Sequence, residues 1–348
     1  MLRRSLTRRS LLAVSGTSAA CAIGASLYGA RFAPTGRDRT VIKFSHVVAE
    51  DTPKGKAANH FRDLLSQATN GEVTAAIYPN STLYKDKEEL EALHMGSVEM
   101  VAPSLAKLGP LGIKYFEIFD LPFLFDSYAA LHKVTDGPVG AALMQRLNST
   151  GLLGLAFWDN GFKQMSANRP LLLPADFRGL KMRIQESEVL EAQMRALGAT
   201  PDQMALSDVY AALDAGVVDG TENPTSNFLT QRMNKVQRYM TLSNHGYLGY
   251  VVLVKERFWR DLPSEVREVV RSCLAKATAY ANEIAKSEND AALVKIRQAG
   301  TTVLMELPPA NREMWKAALA STHSEFRRRM GSDLIDAVYA TMQTRPLA

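Results

Sequence analysis

Arg183 lies in a short apolar run, Lys181-Met182-Arg183-Ile184, and Asn223 closes a second run, Val217-Val218-Asp219-Gly220-Thr221-Glu222-Asn223-Pro224. An arginine ending a β-like run, followed by a polar asparagine turn, can seat a carboxylate. Its planar guanidinium holds both carboxylate oxygens at once, which an ammonium cannot do. Spacing alone leaves a surface ion pair open for Arg183. A third motif, Trp158-Asp159-Asn160-Gly161-Phe162-Lys163, precedes these two and adds a second cation.

Motifs for catalysis are largely absent. The chain has no G-x-G-x-x-G, P-loop, H-E-x-x-H, C-x-x-C or G-x-S-x-G pattern. Its six histidines, His46, His60, His94, His132, His245 and His323, show no metal-ligand spacing. His46 follows a strand pattern, where it either faces a cleft or fills a structural place. No serine or cysteine has an evident base beside it. Binding is therefore favoured over catalysis, and no cofactor or metal is expected.

The amino terminus carries an address. Arg3, Arg4, Arg8 and Arg9 precede an apolar run from about Leu11 to Ala30, and Thr7-Arg8-Arg9-Ser10-Leu11-Leu12 has the twin-arginine export pattern. The run is rich in Ala, Gly and Ser, which suits a cleaved signal over residues 1–30 better than a membrane anchor. Tyr28-Gly29-Ala30 offers the cleavage site. Loss of the four arginines takes the formal charge from +5 to +1. The basicity is mostly the address, so charge gives no case for nucleic acid. Cys273 is then the sole cysteine, and the fold must rest on its core.

The elements that must position the site read as α/β. Strand patterns cover Val41–His46, Val73–Tyr78, Glu99–Ala102, Leu152–Trp158 and Lys181–Ile184. Helical spacing covers Lys54–Asn70, Lys87–Met95, Tyr128–Leu147, Glu186–Leu197 and Asp208–Ala215, and glycines stop several of these. The alternation predicts a mainly parallel sheet covered by helices. The dense run Phe116–Phe125 reads as a buried connection. Ser264–Gln298 has no proline or glycine and predicts a single helix of roughly 50 Å, long enough to brace two lobes. Two helices joined near Ser287-Glu288-Asn289-Asp290 are the alternative. A sheet-like pattern on each side of Asn160 predicts two similar lobes.

On these residues the chain resembles the solute-binding proteins of TRAP (tripartite ATP-independent periplasmic) transporters, specifically their C4-dicarboxylate-binding branch. Gly179-Leu180-Lys181-Met182-Arg183 and Val218–Pro224 carry the family resemblance. Trp158–Ser166 and His245-Gly246-Tyr247-Leu248-Gly249-Tyr250 point to the branch. Thr52–Lys56, Tyr78–Ser81 and Phe119–Phe125 also match.

The resemblance implies a two-lobed periplasmic binding protein fold with a ligand cleft between the lobes and a long bridging helix. Lobe I would comprise residues 38–160 with about 249–280 contributing. Lobe II would comprise 161–248 with about 285–340. It implies an exported monomer that hands a dicarboxylate such as succinate, fumarate or malate to the small and large subunits of a TRAP permease. A 2-oxo acid or another organic acid is the rival ligand. By position, Arg183 matches the carboxylate-binding arginine and Asn223 the asparagine that assists it. Lys163 falls where many relatives carry a second arginine, and Leu206 where an aromatic often packs on the ligand. Lys54, Asp86 and Ser104 are expected at loop or strand ends facing the cleft, with solvated loop positions as the alternative. Tyr247 either reaches into the cleft or belongs to the core.

Overall fold

The structure is a computed structural model describing residues 39–344 and 347. The export signal over residues 1–30 and its cleavage site lie outside the described residues.

Nine strands form the sheet: β1 (Thr40–Ser45), β2 (Val73–Tyr78), β3 (Met100–Val101), β4 (Leu152–Ala167), β5 (Lys181–Ile184), β6 (Thr200–Gln203), β7 (Gly220–Asn223), β8 (Tyr239–Lys255) and β9 (Val303–Glu306). Their order is β2-β1-β3-β8-β4-β7-β5-β6, with β9 on β8. The wings are parallel and helix-covered, as the alternating pattern predicts. The centre is not: β4 and β8 run antiparallel from Leu152↔Lys255 to Ala167↔Tyr239. The sheet is therefore mixed rather than mainly parallel.

These two central strands explain the two-lobed form. At one end, Leu253 and Val254 of β8 pair with β3 and so join the first wing. At the other end, Gln164–Ala167 of β4 pair with β7, and Tyr239–Leu242 of β8 pair with β9. Register shifts occur between Gly154 and Ala156, Asp159 and Gly161, and Lys163 and Met165. Such irregularities bend a ladder and strengthen its twist, which suits strands passing from one lobe to the next.

Helix Ser264–Ala299 is continuous for 36 residues, so the two-helix alternative does not hold. At about 1.5 Å per residue it spans roughly 54 Å. Sixteen residues of β4 at about 3.3 Å each reach nearly the same length, so helix and central strands run in parallel past both lobes. Side chains fasten them. Trp158 Nε1 donates to Thr278 Oγ1 at 2.8 Å, and Asn282 Oδ1 accepts from the Asp159 amide at 2.9 Å. Asn289 Nδ2 donates to the Asn160 carbonyl at 2.7 Å, while its Oδ1 accepts from the Ser226 amide at 2.9 Å. Gly161 makes room for this knot, because a Cβ there would lie 2.7 Å from Asn289 Nδ2.

Helix Pro53–Ala68 starts where its sequence says it should. Thr52 Oγ1 accepts from the Gly55 amide at 3.2 Å and Pro53 occupies the first turn. Helix Tyr128–Leu147 is instead two helices, Tyr128–Thr135 and Pro138–Arg146. Pro138 has no amide to continue the first and is at home opening the second. Two long-range features were not read from sequence: β4 continues nine residues past Trp158, and β8 is a strand of equal rank. The C-terminal helix Ser332–Met342 returns to the first lobe, packing Ile335 and Val338 with Leu131 and Val134.

Replacing Asn289 with leucine leaves the Asn160 carbonyl and the Ser226 amide without partners. The expected loss of stability is about 1–3 kcal/mol, measured by urea unfolding. A change within about 0.5 kcal/mol, typical of a surface site, would show that this knot does not hold helix to strand.

Candidate ligand-binding site

Strand parity decides what faces the cleft between the wings. Arg183 of β5 pairs with Thr221 of β7, so Arg183, Thr221 and Asn223 share one face of the sheet. Arg183 is only 2 % exposed. Its Nε and Nη2 donate to the Met204 carbonyl at 2.9 and 2.6 Å. Among the described residues it forms no ion pair with a carboxylate. Burial lowers its pKa to about 10, with Glu222 opposing, so it stays a cation at neutral pH. The chain thus holds a buried guanidinium whose remaining protons have no acidic partner.

Five of the residues singled out by sequence converge there. Arg183, Asn223, Leu206, Ser104 and Asp86 line a narrow cavity of about 10 Å³, together with Lys107, Gln185, Tyr250 and Asn227. That volume is room for about one water. A larger cavity of about 390 Å³ adjoins it and shares Arg183, Asp86, Lys107 and Gln185. The guanidinium therefore stands in the wall between the two. Contacts across the cleft draw the lobes together. Asp86 Oδ2 accepts from the Leu206 amide at 2.6 Å, where helix Leu206–Asp214 begins, and Asp86 also pairs with Lys107. Gln185 Nε2 donates to Ser104 Oγ at 2.8 Å. Lys85–Asp208 and Lys87–Glu186 pairs close the rim at 3.1 and 3.5 Å.

Lys54 is fully buried just behind this cavity. Its Nζ donates to the Ala102 carbonyl at 2.8 Å and lies 3.7 Å from the centre of the Tyr250 ring. His46 is buried beside it, and both its ring nitrogens lack hydrogen-bond partners.

Tyr247 and Lys163 line neither cavity. Tyr247 donates to Asp159 Oδ1 at 2.5 Å and packs against Phe119, Phe125 and Phe162. Parity is the reason: Leu248 and Tyr250 of β8 face the cavity, so Tyr247 points to the opposite core. Lys163 reaches the face of β7 opposite Arg183. There it donates to Glu222 Oε1 at 2.7 Å and Asp120 Oδ1 at 3.3 Å. Sequence reading missed Lys107, Gln185 and Tyr250. Gln185 was findable, being two residues beyond Arg183 on a strand. Lys107 belongs to the 3-10 segment Leu105–Leu111, whose spacing announces neither helix nor strand.

The Lys163 cluster is a buried network. Glu222 Oε2 accepts from His245 Nε2 at 2.8 Å and Gln193 Nε2 at 3.2 Å. His245 Nδ1 then accepts from Ser243 Oγ at 2.7 Å, a tautomer that satisfies both neighbours. Burial opposes charge on Glu222, yet Lys163 and then His245 hold its carboxyl well below the ordinary range. Burial likewise works to discharge Lys163, and Glu222 with Asp120 more than offset it. Among the described residues no group of three or more His, Cys, Asp or Glu side chains is placed to hold a metal ion.

Lys163→Met leaves two buried carboxyl groups without their cation, and the expected loss is about 3–5 kcal/mol of stability by chemical denaturation. A loss under about 1 kcal/mol would mean that the network relaxes into solvent. Because the Glu222 pKa is depressed on folding, its contribution is present above about pH 5 and fades as pH falls through about 4 and below.

Residues 44–329 match the family described as bacterial extracellular solute-binding protein, family 7. The chain is 56% identical over 335 residues to a C4-dicarboxylate-binding periplasmic protein, DctP, of Rhodobacter capsulatus, covering 96% of this chain and 98% of that one. Its structure is similar to that of a TRAP periplasmic solute-binding protein from Shewanella oneidensis with bound succinate, with a TM-score of 0.85 and 39% identity over 87% of this chain and 99% of the other. A TRAP periplasmic solute-binding protein from Pseudomonas aeruginosa with bound L-malate gives 0.80 and 40% over 82% and 99%. The two-lobed α/β fold is thus that of TRAP solute-binding proteins, and the chain belongs to family 7 of the bacterial extracellular solute-binding proteins.

Proposed function

We propose that this protein captures a C4-dicarboxylate such as succinate, fumarate or malate between its lobes and presents it to the small and large subunits of a TRAP permease. One observation carries the reading: Arg183 is a buried cation at a cavity wall that pairs with no carboxylate among the described residues. An uncompensated buried charge is costly, and an anionic ligand supplies the missing partner. The succinate- and malate-bound relatives give that anion its class.

In this reading Arg183 grips one carboxylate by two parallel hydrogen bonds and the Asn223 amide donates beside it. Ser104 and Lys107 face the second carboxylate from the other lobe, with Lys54 adding charge from behind Tyr250. Leu206 forms an apolar wall. Lys163 acts through Glu222, holding the strand that carries Asn223, and Tyr247 belongs to the core. This narrow cavity is far smaller than a four-carbon diacid, so the lobes part to admit it. A division at 38–160 with about 249–280, and 161–248 with about 285–330, the helix Ser332–Met342 going with the first lobe, puts that motion on the bulged middle of β4 and β8. A ligand touching both lobes favours closure in proportion to its preference for the closed form. The reading makes the protein a carrier without catalysis, exported to the periplasm by its twin-arginine signal.

Thermal unfolding of ligand-stripped protein is expected to shift with succinate, fumarate or malate, by about 2.7 kcal/mol of stability at 100 times the dissociation constant. A flat response to all three with a shift from a 2-oxo acid would replace the ligand and keep the family. Arg183→Ala is expected to cost about 2–5 kcal/mol of affinity by calorimetry. Binding within threefold of wild type would remove Arg183 as the anchor.

A further inference from the structure

Glu89 is a buried carboxyl group that the binding scheme above does not use. It lies on helix Glu88–Met95, it is fully buried, and among the described residues neither of its oxygens has a hydrogen-bond partner. An ionised carboxylate without donors is a poor occupant of such a place, whereas the neutral acid is tolerated. Lys54 is its counterpart. It too is fully buried, with one carbonyl and one aromatic face as partners. The two groups sense each other's charge without touching. Tyr250, on which Lys54 rests, lines the ligand cavity.

We propose that Lys54 and Glu89 form a proton-gathering pair behind the cavity, so that capture of a dicarboxylate dianion draws a proton from the medium onto Lys54. The proposal rests on the dicarboxylate reading. No bond of the ligand changes: solvent gives up one proton, the Lys54 amine becomes an ammonium, and Glu89 stays an acid.

Burial lowers Lys54 to about 7, with Glu89 opposing, and burial raises Glu89 to about 8, with Lys54 opposing. Lys54 therefore changes protonation near neutral pH, where Glu89 is still mostly the neutral acid. Burial and then Lys54 keep His46 neutral, and burial keeps the Tyr250 phenol protonated. Arg183 remains charged. Burial, and then the charges of Lys54 and Arg183, also push Lys107 well below the ordinary amine range, against Glu186, although it is paired with Asp86. Lys107 is the second amine there, and loss of the linked proton in Lys54→Met separates the two. A dianion arriving beside Lys54 favours its charged form and raises its pKa. Affinity is then full below about pH 7 and weakens as pH rises through the free-state value, by up to about tenfold per pH unit.

The test is calorimetric titration of succinate at pH 7.5 in phosphate and in Tris, whose ionisation heats differ widely. Succinate is already the dianion at this pH, so any linked proton comes to the protein. The expected result is an uptake of about 0.3–0.75 proton, with affinity at least threefold weaker at pH 9 than at pH 7. Lys54→Met is expected to abolish both effects. Glu89→Gln mimics the neutral acid in shape, and without the Glu89 charge the pH dependence moves to lower pH. The wild-type buffer comparison decides alone if a variant does not fold. Equal binding heats in the two buffers overturn the proposal and leave the dicarboxylate reading standing. Absence of binding by every C4 diacid overturns that reading, and the proposal with it.

Discussion

A guanidinium held out of water with no carboxylate beside it is the constraint on which this structure turns. Arg183 is buried and tied at its inner edge to the Met204 carbonyl. That bond fixes the plane of the group and leaves its outer edge for a ligand. The surrounding chain avoids neutralising it. Glu222, one residue from Asn223, is a neighbouring acid, but it is turned to the other face of β7 and engaged by Lys163, His245 and Gln193. Asp86 lies at the cavity but is taken up by Lys107 and the Leu206 amide. The anion that completes the site must come from outside.

Holding a cation in this way requires a stiff frame that can still open. The long helix and the two central strands supply it. The hydrogen bonds of Trp158, Asp159 and Asn160 to Thr278, Asn282 and Asn289 fasten strand to helix at the waist. The bulges on either side of Gly161 let β4 and β8 bend there. Around the cavity, the closing contacts are polar: the Asp86 cap on Leu206, the Gln185–Ser104 bond and two rim ion pairs. Farther out, Glu117 accepts from the Ser187 hydroxyl and the Glu188 and Val189 amides, and Lys114 pairs with Glu188. Exposed pairs contribute little each. A ligand that bonds to both lobes can therefore govern the balance between open and closed.

The local chemistry was legible in sequence because it is carried by short runs. Strand β2 and the helices capped by Thr52 and stopped by Gly96 lie where periodicity puts them. Arg183 and Asn223 stand out by motif, and the structure brings them to one cavity with Leu206, Ser104 and Asp86. What failed to show was long-range. The lengths of β4 and β8 depend on each other, because each supplies the other's hydrogen bonds along its whole run. β8 is buried on both faces along most of its run and β4 along its second half, so neither alternates cleanly. Tyr247 and Tyr250 differ only by parity within a strand not recognised as one, and one enters the core while the other lines the cavity. The resemblance puts Lys163 where relatives carry a second arginine, and its true partners, Asp120 and Glu222, are too distant in sequence to show that its charge is engaged.

The central claim is that the cavity recognises two negative charges through buried cations. Titration with a charge series of constant shape tests it most directly: succinate, its monoamide and its diamide. The account predicts at least a tenfold loss of affinity at each step, since each amide leaves a buried cation without its partner. A diamide binding within threefold of succinate would contradict it.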